Sequence, residues 1–192
     1  MRATGLLERQ FTSVNQILHG FADDLTPDDL TTRILPDTNL LAFDLWHVAR
    51  TQDWAVQTLV RGVPEIVDEP RWQGRGRLAT HGIGVGLSRD EADDLARALV
   101  KADILAYADA VHMAILAWLR ALPDDDVLDA QPDVPAHLAR YPVYLEPAMR
   151  EEVPWMFQQP PVWRCLAPAI GHDRDHLAEM DLLKRQFRAR PD

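Results

Sequence analysis

Apolar residues recur every three or four positions through four long stretches of this chain, and that period admits helices and little else. The first stretch runs from about Thr4 to Asp23 on Leu7, Phe11, Val14, Leu18 and Phe21. The second spans roughly Asn39 to Arg61 and is apolar around much of its circumference, as suits a helix packed on several neighbours; Gly62 and Pro64 close it. The third opens at Ser88-Arg89-Asp90-Glu91, which has the spacing of a capping box, and continues to about Leu122 on a stripe that includes Val100, Ile104, Tyr107, Val111 and Ile115. The fourth starts near Pro161 and carries Leu166, Ala169, His172, His176, Met180 and Leu183 on one face. Strand-like alternation is scarce. Four helices with two long connections, Gly-rich from Glu65 to Leu87 and Pro-rich from Pro123 to Pro161, predict an all-α four-helix bundle forming one domain over residues 1–192.

The fourth stripe also holds the chemistry. His172 and His176 are four residues apart, and a helix turns about 400° over that interval, so both rings leave nearly the same face and can grip one metal ion. On a core-facing stripe two unpaired imidazoles are costly unless hydrogen bonds or a metal satisfy their nitrogens. Pro168, inside the same pattern, predicts either a kink just ahead of His172 or the true helix start.

Two histidines leave a metal site incomplete, since catalytic zinc and iron sites take about three protein ligands and keep a position open. The remaining histidines are His19, His47, His81, His112 and His137. His81 and His137 fall in loops, while His19 and His112 sit beside their stripes. His47 lies in the apolar run Leu45-Trp46-His47-Val48-Ala49, on a line with Leu40, Phe43 and Trp54 that Thr51 interrupts. Spacing puts His47 ahead of the others without settling the choice.

Composition removes several functions. The formal net charge of −10, with 20 Lys and Arg, leaves no basic patch for a polyanion, so no nucleic-acid partner is expected. The short Asp runs lack the alternating ligands and central glycine of a calcium loop. Gly74, Gly76, Gly82, Gly84 and Gly86 come in quick succession, but no Lys-Ser or Lys-Thr follows and no strand precedes, so the segment reads as a flexible connection or lid. Cys165 is the single cysteine, so no internal disulfide forms, and in its apolar setting it reads as a small core residue. No apolar run of membrane-spanning length and no basic-then-apolar leader are evident, which predicts a cytoplasmic protein with no membrane partner.

The segment Asp44-Leu45-Trp46-His47-Val48-Ala49-Arg50-Thr51-Gln52-Asp53-Trp54, the Gly-rich loop before Ser88, and Gly171-His172-Asp173-Arg174-Asp175-His176-Leu177 follow one another in an order that resembles the DinB-like (DinB/YfiT-like) family. The resemblance covers nearly the whole chain. It implies an up-and-down-type bundle with a long crossover, in which His47 on the second helix and His172 and His176 on the fourth hold one divalent ion, zinc first, with nickel or iron as alternatives. The connection from Pro123 to Pro161 is longer than such a bundle needs.

Relatives include mycothiol- and bacillithiol-dependent transferases and maleylpyruvate isomerase. Three neutral imidazoles leave a divalent ion its full charge, which lowers the pKa of a thiol or water beside it. The resemblance therefore implies a thiol-dependent S-transferase or isomerase acting on a small electrophile, with a low-molecular-weight thiol as cosubstrate. Arg50 and Arg174 become candidates to receive an anionic substrate group, and Asp173 and Asp175 candidates to orient an imidazole. Homodimerisation through helix faces is a further expectation.

Two other readings compete. His172-Asp173-x-x-His176 is similar to the His-Glu-x-x-His motif of zinc proteases, but Asp is one methylene shorter than the Glu that acts there as general base, and a bundle offers no strand-lined cleft. The alternative from a different class is a non-catalytic metal-binding or stress-related bundle, which a closed site rather than an open one would mark.

Overall fold

The structure, a computed structural model, describes residues 2–80 and 82–189, and no strand occurs among them. Helix α1 (Ala3–Ala22) buries Phe11, Val14, Leu18 and Phe21, the face its periodicity marks. Its free N-terminal amides are met by the Asp125 carboxylate, which accepts from the N–H groups of Ala3 (2.6 Å) and Thr4 (3.2 Å). One of the acidic runs thus serves as a helix cap contributed from far along the chain. Helix α2 (Pro27–Thr31) is one short turn started by a Thr26–Asp29 capping box.

Helix α3 (Leu41–Asp53) is buried along its whole length and runs on as a π-helix from Trp54 to Arg61. It stops at Gly62, whose φ of 59° is left-handed and whose Cα lies so near the His137 ring that a Cβ would stand 2.3 Å from it. The Gly-rich connection comes next and is bound down onto α3.

The third stripe is two helices, not the one expected. Helix α4 (Arg89–Ala98) begins at the anticipated Ser88–Glu91 capping box, and α5 (Lys101–Ala121) comes after Leu99 and Val100, both extended. The Lys101 ammonium is held by the main-chain carbonyls of Ala22, the last residue of α1, and of Leu25 beyond it, which pins the start of α5. Val100, assigned by periodicity to the core face, is 51% exposed. Tertiary contacts override a local sequence that contains no breaker.

By length and composition α5 is apolar enough to cross a membrane, which corrects the expectation that no such run exists. Its buried face, including Ile104, Val111 and Ile115, packs against α1 and α3.

The Pro-rich connection folds into short pieces that include α6 (Val134–Leu138) and α7 (Pro147–Glu152). The fourth stripe then forms a broken rod: α8 (Val162–Leu166), a π-helical segment from Pro168 to His172, and α9 (Asp173–Arg188). Pro168 begins the irregular segment, which runs to His172, so a π-helical stretch stands where a kink or a helix start was expected. Helix α1 packs on α5, α5 on α3, α3 on α9 and α9 on α1, which closes the bundle.

Candidate metal centre

His47 projects from α3 toward the broken rod, where His172 and His176 project back. His172 Nε2 lies 3.1 Å from His47 Nε2 and 3.0 Å from His176 Nε2. Four-residue spacing on one rod and a single inward position on another bring the three rings together, with one ligand atom of each within 4.8 Å of the others. His47 is nearly buried, His176 half-buried and His172 exposed, so the pair faces the mouth of a pocket rather than a sealed core.

Hydrogen-bond bookkeeping shows why a cation suits this cluster. His47 Nδ1 donates to the Ile83 carbonyl at 2.6 Å, which fixes the neutral ring with a lone pair on Nε2. His172 has one proton at most to place on its own Nε2, and one proton cannot bridge two short contacts to two other rings. A divalent ion accepts all three lone pairs at once. Nitrogens about 2.0–2.1 Å from tetrahedral zinc stand roughly 3.3 Å apart, close to the 3.1 and 3.0 Å that separate His172 from the other two rings. Burial, reinforced by His176, pushes His47 down to about 3, and burial with His172 pushes His176 down to about 4. Both therefore stay in the neutral form that binds metal.

The Gly-rich connection is a strap that aligns this site, not a loose lid. Trp46 Nε1 donates to the Leu78 carbonyl and Arg50 Nε to the Gly82 carbonyl, each at 2.8 Å, on either side of the His47 contact in α3. Gly84, with φ of 94°, lies against α3 so closely that a Cβ would come within 2.7 Å of Phe43 and 3.0 Å of Trp46. Phe43 stacks on the His47 ring at 6.0 Å and 7°. The strap thus supplies the carbonyl that selects the tautomer of His47.

Arg50 stands elsewhere than expected. Its side chain is 2% exposed and turned away from the pocket into a polar cluster. There it donates to Glu65 at 2.5 Å, Tyr107 at 2.9 Å, Tyr144 at 3.2 Å and Asp53 at 3.3 Å. Every donor direction is taken within the fold, which leaves none to receive an anionic substrate group. Arg174 does not line the pocket either, and its half-buried side chain has Nε without a hydrogen-bond partner. Asp173 is fully buried beside Gln52, its carboxyl held well above the usual range by burial, and Asp175 is exposed. Neither hydrogen-bonds an imidazole among the described residues; the Ile83 carbonyl has that role for His47. Cys165 is buried, with burial raising its thiol to about 12, as suits a core residue. His19 pairs with Asp109 at 2.8 Å, His137 with the Leu59 carbonyl at 2.9 Å, and His81 lies outside the described residues.

A cavity of about 550 Å³ opens beside the triad, between α3 and the broken rod. Phe43, His47, Thr51 and Trp54 form its α3 wall, at helical spacing. Thr51, which seemed to interrupt a core stripe, instead continues a pocket stripe. The long connection contributes Glu152, Val153 and Trp155, and Arg164 comes from α8. Sequence reasoning missed Thr51, Trp54 and Arg164; the 47, 51, 54 interval was the available signal for the first two.

A model of the DinB superfamily matches residues 10–180. Among solved structures, a conserved protein from Enterococcus faecalis superposes with a TM-score of 0.70 over 99% of this chain and 99% of its own, at 14% identity, a likeness of fold alone. No curated protein matches the sequence.

Proposed function

We propose that this chain, which belongs to the DinB superfamily, holds one divalent metal ion, zinc foremost, between His47, His172 and His176 and serves as a thiol-dependent S-transferase or isomerase of a small electrophile. One observation carries the reading: three imidazole nitrogens converge within 4.8 Å at the edge of an open cavity, His172 standing 3.1 and 3.0 Å from the other two, in an arrangement that protons alone cannot satisfy. The ion would supply a Lewis acid that lowers the pKa of a thiol reaching it. His47 is held in place by the Ile83 carbonyl and the stacked Phe43 ring, and His172 and His176 by their common helical face. The cavity leaves space for a substrate next to the triad, which favours a catalytic site over a closed structural one.

Elemental analysis of untagged protein, with His47→Ala and His172→Ala, tests the metal. About one ion per chain, lost in both variants, is expected. A folded protein that cannot be loaded with zinc, nickel or iron removes the reading. Metal-loaded protein is then assayed for consumption of low-molecular-weight thiols with electrophiles. Metal without turnover across such a panel would leave a metal-binding bundle.

A further inference from the structure

Beyond the triad, the cavity continues along α3 to a second polar end. Helical rise places Thr51 about 6 Å and Trp54 about 10 Å further along the rod than His47. Both side chains are 1% exposed, and both Thr51 Oγ1 and Trp54 Nε1 are buried without a hydrogen-bond partner. The indole N–H is a donor only, so what it lacks is an acceptor. A buried donor left unpaired is costly, and nearly all such groups in folded proteins find a partner. Among the described residues with orphaned side-chain atoms, only these two belong to the cavity lining, so an occupant of the cavity, with a small shift of either side chain, is the partner nearest to hand.

The opposite wall adds a cation. Arg164 is exposed on α8, which packs on the segment beginning at Trp54; it stacks over the Trp155 ring, its Cζ 4.9 Å from the centroid, and forms no salt bridge or side-chain hydrogen bond among the described residues. Aromatic stacking holds the planar guanidinium while leaving its N–H fork available for two oxygens. Glu152 lines the same wall, so this end is no general trap for anions, and selection falls to donors fixed in place.

We infer that the Thr51–Trp54–Arg164 end of the cavity binds a carboxylate, so that the ligand is an elongated molecule with a carboxylate at one end and its reacting group at the triad. The position of the reacting group rests on the proposed metal reading; the carboxylate site does not. Its span excludes short acids that cannot reach from Trp54 to His47. Arg164 supplies the charge, Trp54 Nε1 the buried donor, and Thr51 a hydroxyl able to donate as well.

The test is calorimetric titration of zinc-treated wild type, Trp54→Phe, Arg164→Met and Arg164→Lys with ω-mercaptoalkanoates of increasing length and with their neutral amides, zinc content and thermal stability being measured on the same samples. At one intermediate length the carboxylate should bind about tenfold tighter than its amide, a preference that falls to about twofold or less in Trp54→Phe and Arg164→Met and partly returns in Arg164→Lys. Zinc-loaded protein that binds thiols with no preference for the carboxylate at any length, or with a preference both variants retain, overturns the inference and leaves the metal reading standing. A protein that takes up no zinc yet prefers simple alkanoates to their amides, and loses that preference in both variants, does the reverse.

Discussion

Two faces of α3 carry polar residues, and they differ in whether their hydrogen bonds are made. Arg50, Asp53 and, one π-helical turn on, Thr58 face a cluster in which Tyr107 donates to Asp53 at 2.5 Å, and Tyr144 and Thr58 each donate to Glu65 at 2.7 Å. The backbone amides of Ile66 and Val67 complete the shell of Asp53 at 2.9 and 3.1 Å. On the adjoining face, His47, Thr51 and Trp54 line the cavity, with two polar atoms unpaired and the third residue crowded against other imidazoles. Residue type alone does not separate these faces. A filled set of bonds marks a group that holds the fold together, whereas an unfilled set at the cavity wall marks a group open to a partner from outside the fold.

The largest effect should come from the filled face. Arg50→Met strands the Asp53 and Glu65 carboxylates in the core and is expected to cost about 3–5 kcal/mol in urea unfolding. A loss under about 1 kcal/mol would mean that the cluster adds little to the fold.

Asp44, one turn ahead of His47, lies between the two extremes, with one hydrogen bond from Asn39 at 2.9 Å. Burial above all raises its carboxyl from 3.8 to about 7; the Asn39 bond opposes this and nearby Glu179 adds to it. The folded state therefore holds the proton more tightly than the unfolded one. Its contribution to stability is fully present below about pH 3.8 and is lost as pH rises through about 7. Asp44→Asn should match wild type near pH 4 and exceed it at pH 8 by an amount on the order of a few kcal/mol. Unfolding curves at both pH values check the sign, and a variant weaker at pH 8 would contradict it.

The sharpest contrast is also the smallest change. Tyr107→Phe removes a hydroxyl bonded to two charged groups and should cost about 1.5–3 kcal/mol, while Trp54→Phe removes an N–H bonded to nothing and should cost less than about 1 kcal/mol beyond lost ring area. Equal losses in thermal or urea unfolding would erase the distinction between the faces.

Much of the fold was legible because burial enforces periodicity: α1, the α3 rod, α5 and the rod carrying the histidines all lie where their stripes lie. The break at Leu99 and Val100 was not, since no Gly or Pro marks it and the contacts of Lys101 that fix it come from the far end of α1. In the site, His172 and His176 were readable because both lie on one helix. His47 needed the resemblance, because which residues of α3 meet α9 is a property of packing between rods. Arg50 shows the same limit. Three residues from His47, it falls on a neighbouring strip of the helix, and only the positions of Glu65, Tyr107 and Tyr144 reveal which way it turns.

The two irregular helical segments have a consequence for how the cavity walls are phased. A π turn accommodates an extra residue within a helix and resets the angular phase of the residues beyond it. The segment from Pro168 to His172 lies between Arg164 and His176, and the one from Trp54 to Arg61 begins where the cavity wall along α3 ends. The turn at Pro168 thus sets the angular phase of α8 against that of α9, which lets Arg164 and His176 reach one cavity. One residue added or removed in α8, ahead of that turn, would swing Arg164 by about 100° around the rod while His172 and His176, beyond it, keep their alignment.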